Sequence, residues 1–305
     1  MSRDLYIKAN ASAKEWVRPS DWLPMPTNIT SADQIFVGLH AVFESGQNYC
    51  AFSFTTSTGQ YQVDWGDGTV TLHNSNTIAQ KNYDYASISN STICSRGYKQ
   101  VIIKVTPVSG NLLTCNFQQR FVTTPAQNQA YSSGFLECIL SMPNASSGGS
   151  IIFGGSTIIR HAYCEKVDIK TIGNATNMAS MFNSCFLLQS VPLFNTINVT
   201  NMAYMFQNCY SLNFIPNFNT ALVTNFTNFA NGCNSLDRCT TIFRNSVGLQ
   251  NCQLSKDALV EILTNLIDRT TTTSATIDIT GNWGATALTS ADRLIATGKN
   301  WIITG

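Results

Sequence analysis

The chain contains a segment that repeats every 24 residues. Copies begin at Thr176, Thr200 and Thr224, and the first two read TNMASMFNSCFLLQSVPLFNTINV and TNMAYMFQNCYSLNFIPNFNTALV. Sequence periods of roughly 20 to 50 residues are typical of solenoids. A unit this short cannot bury its own apolar side chains, so neighbouring units must stack and share one core. The sequence therefore predicts a stacked array.

Within a unit, the apolar residues follow two patterns. In the first half they recur every three or four positions, at Met178, Met181, Phe182, Cys185 and Leu188. This spacing predicts a short helix, with Thr176 at its N-cap. The second half, around Pro192 and Leu193, predicts a brief strand because proline is tolerated only at strand edges and bends. We expect one helix and one strand per unit.

Cysteines follow the same repeat. Cys164, Cys185, Cys209 and Cys233 are separated by 21, 24 and 24 residues, and no CxxC pair occurs. Ten cysteines in 305 residues are too few for a disulfide scaffold. We expect these four to be buried free thiols that pack as small apolar side chains.

The repeated TNMxxMFxxCxxL pattern resembles the BspA-like leucine-rich repeats of bacterial surface adhesins and of bacteriophage tail or fibre proteins. The resemblance covers 151–252 and implies a leucine-rich-repeat solenoid. Residues 253–305 are similar to the segment that closes such arrays in phage-encoded members. From the residues themselves, Leu254 to Leu266 predict an amphipathic helix, Thr276–Thr280 a strand and Ser290–Thr297 a second helix. A cap of this kind protects the open end of an array.

The front of the chain has a different pattern. Between 31 and 120, short alternating runs such as QIFVGLHAVF and YKQVIIKVTP are separated by polar turns, which predicts a β-sandwich. The WGDGT motif at Trp65–Thr69 resembles the hairpin of PKD-type immunoglobulin-like domains, which place a strand such as Val101–Val105 soon afterwards. Physically, Asp67-Gly68 is a hairpin turn, and Trp65 would fill the space between the sheets. Overall, we expect a mainly β protein with short helices.

Asp64 and Asp67 are the weak candidates for a metal site. They do not match the spacing of an EF-hand calcium loop, so turn chemistry is the favoured interpretation.

Residues 1–30 fit neither pattern and predict an extended arm. Trp16, Trp22, Leu23 and Met25 give it apolar side chains, which either pack on the chain's own sandwich or dock onto another virion subunit; docking is favoured. Residues 121–150 predict a linker or a first irregular repeat.

Composition narrows the function. Charged residues make up 11% of the chain, with 18 basic and 17 acidic side chains, so no basic stripe exists for nucleic acid. No apolar run is long enough to span a membrane, and the N-terminal residues predict no secretion signal. His40, His73 and His161 lie far apart in sequence and outside catalytic motifs, and no nucleotide-binding loop occurs. We expect no enzymatic activity and no cofactor.

Three hypotheses for function remain. The first is a bacteriophage virion protein, a tail or head fibre or decoration, that attaches the particle to a host-surface glycan or protein through its repeats. The second is a bacterial cell-surface adhesin of the same repeat family, and the third is a purely structural virion component. A symmetric homo-oligomer is expected of a fibre. Candidate binding residues depart from the apolar spacing of one unit and suit a glycan, namely Tyr204, Gln207, Asn208 and Tyr210.

Overall fold

The computed structural model describes residues 16–46, 48–123, 131–155 and 159–305. They form a mainly β protein with two α-helices, in agreement with the predicted class. The helices are α1 (Lys256–Asn265) and α2 (Ser290–Thr297). The strands are β1 (Ile35–Val42), β2 (Tyr49–Thr56), β3 (Gln60–Asp64), β4 (Val70–Asn74), β5 (Ile78–Asn82), β6 (Lys99–Pro107), β7 (Leu112–Asn116), β8 (Tyr131–Ser132), β9 (Phe135–Ser141), β10 (Ile151–Ile152), β11 (Ile159–Arg160), β12 (Lys166–Thr171), β13 (Phe214–Ile215), β14 (Arg238–Cys239), β15 (Val247–Gly248), β16 (Ala275–Asp278) and β17 (Trp301–Thr304).

Two sheets enclose the core of the front half. One has the order β12-β9-β1-β6-β3-β4 and the other β10-β7-β2-β5. Phe36, Phe52 and Phe117 meet between them, with Phe36 and Phe117 ring centroids 4.7 Å apart. Trp65 is buried against Phe52, as predicted for a side chain that fills the space between sheets. Val101–Val105 lies within β6, which confirms that strand.

The segment predicted as a linker contains a strand of the larger sheet. β9 pairs antiparallel with β1 and parallel with β12, and nearly all of its side chains are buried. A strand that is apolar on both faces belongs inside a layered structure. Of the two alternatives for 121–150, a linker is therefore wrong at Phe135–Ser141, while a first irregular repeat stays a prediction. Residues 124–130 lie outside the described residues. β12 also belongs to the larger sheet, although its residues lie near the start of the predicted array.

The described part of the N-terminal segment packs on its own sheet. β1 is buried on both faces because Trp22 covers Leu39 and Ala41, while Ile29 covers Val37. The indole nitrogen of Trp22 donates a hydrogen bond to the Tyr98 hydroxyl (3.0 Å). Residues 16–30 thus follow the first of the two alternatives for this segment, because they pack on the chain's own sheet. Residues 1–15 lie outside the described residues.

Polar anchors hold this segment in place. Arg18 forms an ion pair with Glu137 (2.7 Å), and the Trp16 indole donates to Glu165 (3.3 Å). Glu165 also pairs with Arg96, so one buried carboxylate joins the segment to two parts of the chain. Trp22 is a core residue in this conformation and is not accessible to another subunit.

The repeat units contain no α-helix between residues 176 and 255, which corrects the predicted helix of each unit and the N-cap at Thr176. The backbone instead makes successive turns. Within the first unit, Met181 and Asn183 donate to the carbonyls three residues earlier. The alternate residues Ser180 and Phe182 donate instead to Ala203 and Met205 of the next unit (2.9 and 2.8 Å).

Left-handed residues explain why the helix does not form. Ser180 and Ser184 have φ of 59° and 57°, and Tyr204 and Asn208, 24 positions later, have 57° and 60°. A positive φ every four residues interrupts the i to i−4 bonding of a helix. The apolar residues recur every three or four positions, which suggests a helix, but these successive turns produce the same spacing.

Equivalent residues of successive units pair with one another. Asn177, Asn201 and Asn225 form a parallel series of bridges that begins at Ser150. The Thr200 amide donates to Thr176, and the Thr224 amide to Thr200 (2.8 Å each). In the second half of the two later units, β13 pairs parallel with β14, which confirms a brief strand there. Around Pro192 and Leu193 the strand prediction is wrong, since the second half of that unit has only the isolated bridge between Lys166 and Ser190.

The thiols follow the same stacking. Cys164, Cys185, Cys209 and Cys233 are buried and free, which confirms the prediction. The Cys209 and Cys233 thiols donate to the Phe182 and Phe206 carbonyls of the preceding unit (3.0 Å each). Burial raises the pKa of Cys185, Cys209 and Cys233. These thiols stay protonated donors because the thiolate would be desolvated.

The last part of the chain confirms the predicted elements. α1 buries Leu259, Ile262 and Leu263 after an N-cap at Ser255. α2 begins after a Thr289–Asp292 capping box and spans the predicted residues. β16 lies between β15 and β17 in a parallel sheet. One continuous apolar core extends from Phe36 in β1 to Trp301 in β17, so the front sheets and the repeats are not packed separately.

Substitution at Ser180 tests the turn structure. Because Ser180 has a positive φ, we expect Ser180→Val to lower the free energy of unfolding by about 1–2 kcal/mol. Ser180→Gly should be neutral or stabilising. Ser211→Val is the matched control, since Ser211 is not in the left-handed region. Urea titration measures all three, and equal losses for the two valine variants would contradict the turn geometry.

Two buried histidines predict acid sensitivity. Burial lowers the pKa of His40 to about 3, and the nearby His161 lowers it further. Burial also lowers the pKa of His161 to about 4, although the hydrogen bond to the Phe117 carbonyl acts in the opposite direction. Below the unfolded pKa of 6.5 the unfolded chain binds more protons than the folded chain, so stability falls as pH falls. Each histidine should cost about 1.4 kcal/mol per pH unit.

Chemical unfolding between pH 6.5 and 5 measures this slope, in a range where most carboxyls stay ionised. The His161→Gln variant should show a shallower slope than the wild type. Identical slopes in the two proteins would show that His161 is not neutral in the folded state.

Candidate binding site on the repeat units

Gln207, Asn208 and Tyr210, three of the four predicted binding residues, line one cavity of about 240 Å³. The fourth, Tyr204, is 36% exposed but does not line it. The remaining described lining residues come from earlier parts of the chain, namely Arg160, Asn183, Ser184 and Phe186. Here the structure brings together side chains that are up to 50 positions apart in sequence.

The hydrogen bonds between units position the polar side chains. The Ser184 amide donates to the Gln207 carbonyl (2.8 Å), which sets adjacent units in register at the cavity. The Asn183 side-chain amide donates to Gln207 Oε1 (3.2 Å). Asn208 has a positive φ, and its amide donates to Asn231 of the next unit (2.9 Å). The backbone is thus fixed on both sides of the site.

An aromatic stack forms another part of the cavity lining. The rings of Phe186 and Tyr210 are stacked with centroids 4.7 Å apart and planes inclined by 19°. The Arg160 guanidinium carbon lies 5.9 Å from the Phe186 centroid. Planar side chains that stack in this way keep one orientation. The rings therefore form a rigid surface beside the polar groups.

Several hydrogen-bonding groups in the lining are free. Among the described residues, nothing bonds to the Tyr210 hydroxyl, the Gln207 Nε2 or the Asn208 side-chain amide. These groups can donate to and accept from hydroxyl groups of a ligand. Carboxylates, histidines and cysteines are absent from the described lining, whose hydroxyl groups are those of Ser184 and Tyr210.

Sequence reasoning missed Asn183, Ser184 and Phe186, although a signal for them existed. They precede Gln207, Asn208 and Tyr210 by one period of 24 residues. In a stacked array, residues one period apart are neighbours. Arg160 had no such signal because it precedes Thr176, where the first of the three copies begins.

The two metal candidates act in the hairpin turn. Asp64 Oδ1 accepts from the Gly66 amide (3.0 Å), and Asp67 accepts from the Thr69 amide and hydroxyl while pairing with Lys81 (2.5 Å). Burial raises the pKa of Asp67, but the bonds from Lys81 and Thr69 outweigh burial and lower it. The described residues contain no group of three or more side chains able to hold a metal ion.

A second depression, of about 380 Å³, lies beside this hairpin. It is lined by Leu23 and Met25 of the N-terminal segment together with Asp64, Ile102 and Lys104, among others. Two of the four predicted docking residues thus share one surface. Trp16 and Trp22 contact each other instead, with ring centroids 6.1 Å apart.

His40 and His161 lie near each other and both contact the Phe135 ring, whereas His73 lies in a separate hairpin. His73 stacks on Tyr61 in the β3–β4 hairpin. His40 accepts from the Gly134 amide (3.0 Å). His161 bonds to the Ser133 hydroxyl (2.6 Å), but both residues are at most 2% exposed, so a substrate cannot reach this pair in the observed conformation. Among the described helices, none combines the length and apolarity needed to cross a membrane.

Gly232 provides a test of the cavity that leaves every lining residue in place. Gly232 has φ of +79°, and a Cβ there would lie 2.8 Å from Asn208 Oδ1. Gly148 has the same φ, but a Cβ there would meet nothing within 4 Å. We expect both alanine variants to lose about 1–2 kcal/mol of stability. Only Gly232→Ala should displace the Asn208 side chain.

Side-chain amide resonances in NMR spectra measure that displacement. The Asn208 signal should shift in Gly232→Ala and stay unchanged in Gly148→Ala. An unchanged signal in Gly232→Ala would contradict the described packing of Asn208.

Comparison with known proteins gives one match. Residues 157–248 match a family described as Mycoplasma protein of unknown function, DUF285. No curated protein and no solved structure matches the chain. The matched segment is under a third of the chain and coincides with most of the 24-residue repeats and with the whole described lining of the cavity. The chain is therefore similar to this family over its repeats.

Proposed function

We propose that this chain is a non-enzymatic binding protein that attaches to a cell-surface glycan through its repeat array. The observation that carries the proposal is the cavity in which Gln207, Asn208 and Tyr210 converge. It combines an aromatic ring with amide and hydroxyl groups that no described residue bonds to. Saccharides present apolar C–H faces and many hydroxyls, which these groups complement.

The array suits such a role as a leucine-rich-repeat solenoid. Its backbone hydrogen bonds run from unit to unit and do not depend on exposed side chains. Residues such as Tyr210, which is 41% exposed, can therefore vary without loss of the core. A rigid frame with variable exposed side chains is what a recognition surface requires.

For the biological setting we propose a bacteriophage virion, where the chain is a tail or head fibre or decoration protein. Here the front half, proposed as a PKD-like immunoglobulin domain, is the spacer. Contact with other virion subunits is assigned to the N-terminal segment, where Leu23 and Met25 line a depression of about 380 Å³. A homo-oligomer would present several copies of the site.

A bacterial cell-surface adhesin is the second candidate. The observation that favours it is the match of residues 157–248 to a family described from Mycoplasma, a cellular organism. Both candidates assign the same binding role to the repeats. They differ in whether the repeats are displayed on a virion or on a bacterial cell.

Substitution of cavity residues tests the binding role. We expect Tyr210→Ala and Gln207→Ala each to weaken binding of the labelled full chain to cells about tenfold, because each removes a ring contact or hydrogen bonds. Tyr204→Ala is the matched control, since Tyr204 is 36% exposed and outside the cavity. Flow cytometry measures binding. Equal binding by all variants would refute recognition through this cavity.

Immunogold electron microscopy separates the settings. An antibody against residues 150–305 is applied to phage particles and to cells of the same culture. Label at a fixed place on particles supports the virion protein, and label on uninfected cells alone supports the adhesin. Labelled particles combined with no cell binding by the free protein would instead indicate a purely structural virion component.

A further inference from the structure

Arg160 is the charged residue in the described lining of the repeat cavity. Its side chain is exposed, while its backbone is held in β11, which pairs with β8. The other described lining side chains are neutral amides, hydroxyls and aromatic rings. In a chain with 11% charged residues, a cation that has no acidic partner among the described residues is a notable local charge.

Within the described parts of the chain, no acidic side chain forms an ion pair with this cation. The ion pairs of the described residues involve other cations, namely Arg18, Lys81, Arg96, Lys170, Arg238 and Lys256. Among the described residues, the guanidinium of Arg160 also has no hydrogen-bond acceptor. Its N–H groups are therefore available to a ligand.

The aromatic stack orients those N–H groups. The guanidinium carbon lies over the Phe186 ring, 5.9 Å from its centroid, and the Tyr210 ring stacks on Phe186 with nearly parallel planes. A guanidinium that lies over an aromatic ring still presents N–H groups at its edges, where two parallel N–H bonds match the two oxygens of an anion. Holding the fork in one orientation reduces the entropy lost on binding.

We propose that the cavity binds an acidic saccharide, with the sugar's anionic group on Arg160. The sugar ring lies against the Phe186–Tyr210 surface, and its hydroxyls bond to Gln207 and Asn208. This inference rests on the proposed function, since it names the class of glycan for the same site. Carboxylated and phosphorylated sugars share the anionic chemistry that the guanidinium recognises.

A glycan array with matched members tests the inference. The array carries uronic and sialic acid oligosaccharides, their uncharged methyl esters, neutral oligosaccharides and glycerol-phosphate oligomers. The full chain should bind acidic members at least about tenfold more tightly than their esters. Preference for the carboxylated or the phosphorylated members identifies the source of the anion.

Arg160→Gln should lose this preference while its binding to neutral members stays within about twofold of the wild type. Arg238→Gln is the matched control, because it removes an exposed cation whose side chain pairs with Glu261 outside the cavity. It should keep the preference for acidic members. Melting temperatures of both variants establish that each is folded.

The outcomes separate this inference from the function on which it rests. Equal binding of acids and esters by the wild type, or an intact preference in Arg160→Gln, would overturn the acidic ligand and leave glycan binding in place. Equal loss of acidic and neutral binding in Arg160→Gln would also overturn it, since Arg160 would then only support the stack. Binding to no member would overturn both proposals.

Discussion

The backbone hydrogen bonds between units are the constraint on which the repeat region depends. A buried amide or carbonyl must have a partner, and a helix or a long strand usually supplies it. The repeat units have neither. Alternate amides such as Ser180 and Phe182 find their acceptors in the next unit, and the residues between them find theirs three positions back. A single unit would leave half of these groups unpaired, so folding of one unit requires the next.

The same constraint explains how the front half and the repeats meet. The bridges between units start at Ser150, and the amide of Phe153 donates to Met181, so the residues after β9 already belong to the stacked arrangement. β12, which lies within the sequence of the predicted array, pairs with β9 and forms an edge of the larger sheet. Because each half supplies partners to the other, the apolar core is continuous, and the two regions are coupled more closely than domains joined by a linker.

Sequence reasoning succeeded where side-chain burial alone decides the outcome. The period, the buried methionines and cysteines, the hairpin at Trp65–Thr69 and both C-terminal helices follow from apolar spacing and turn chemistry. It failed where the backbone conformation decides. Nothing in TNMASMF marks Ser180 as left-handed, since serine rarely adopts that conformation. β9 and the cover over β1 depend on contacts distant in sequence, and Arg160 reaches the cavity only through that tertiary arrangement.

The reactivity of the buried thiols in the repeat units reports whether those units are stacked. While the units stay stacked, Cys185, Cys209 and Cys233 are shielded, and their raised pKa keeps them unreactive toward oxidants and electrophiles. A unit that opens releases its cysteine to water, where the thiol regains ordinary reactivity. Reaction at one position therefore identifies which unit has opened. Damage of that kind is permanent when it proceeds beyond the reversible oxidation states. Under oxidising conditions, the lifetime of the array is then set by its least stable unit.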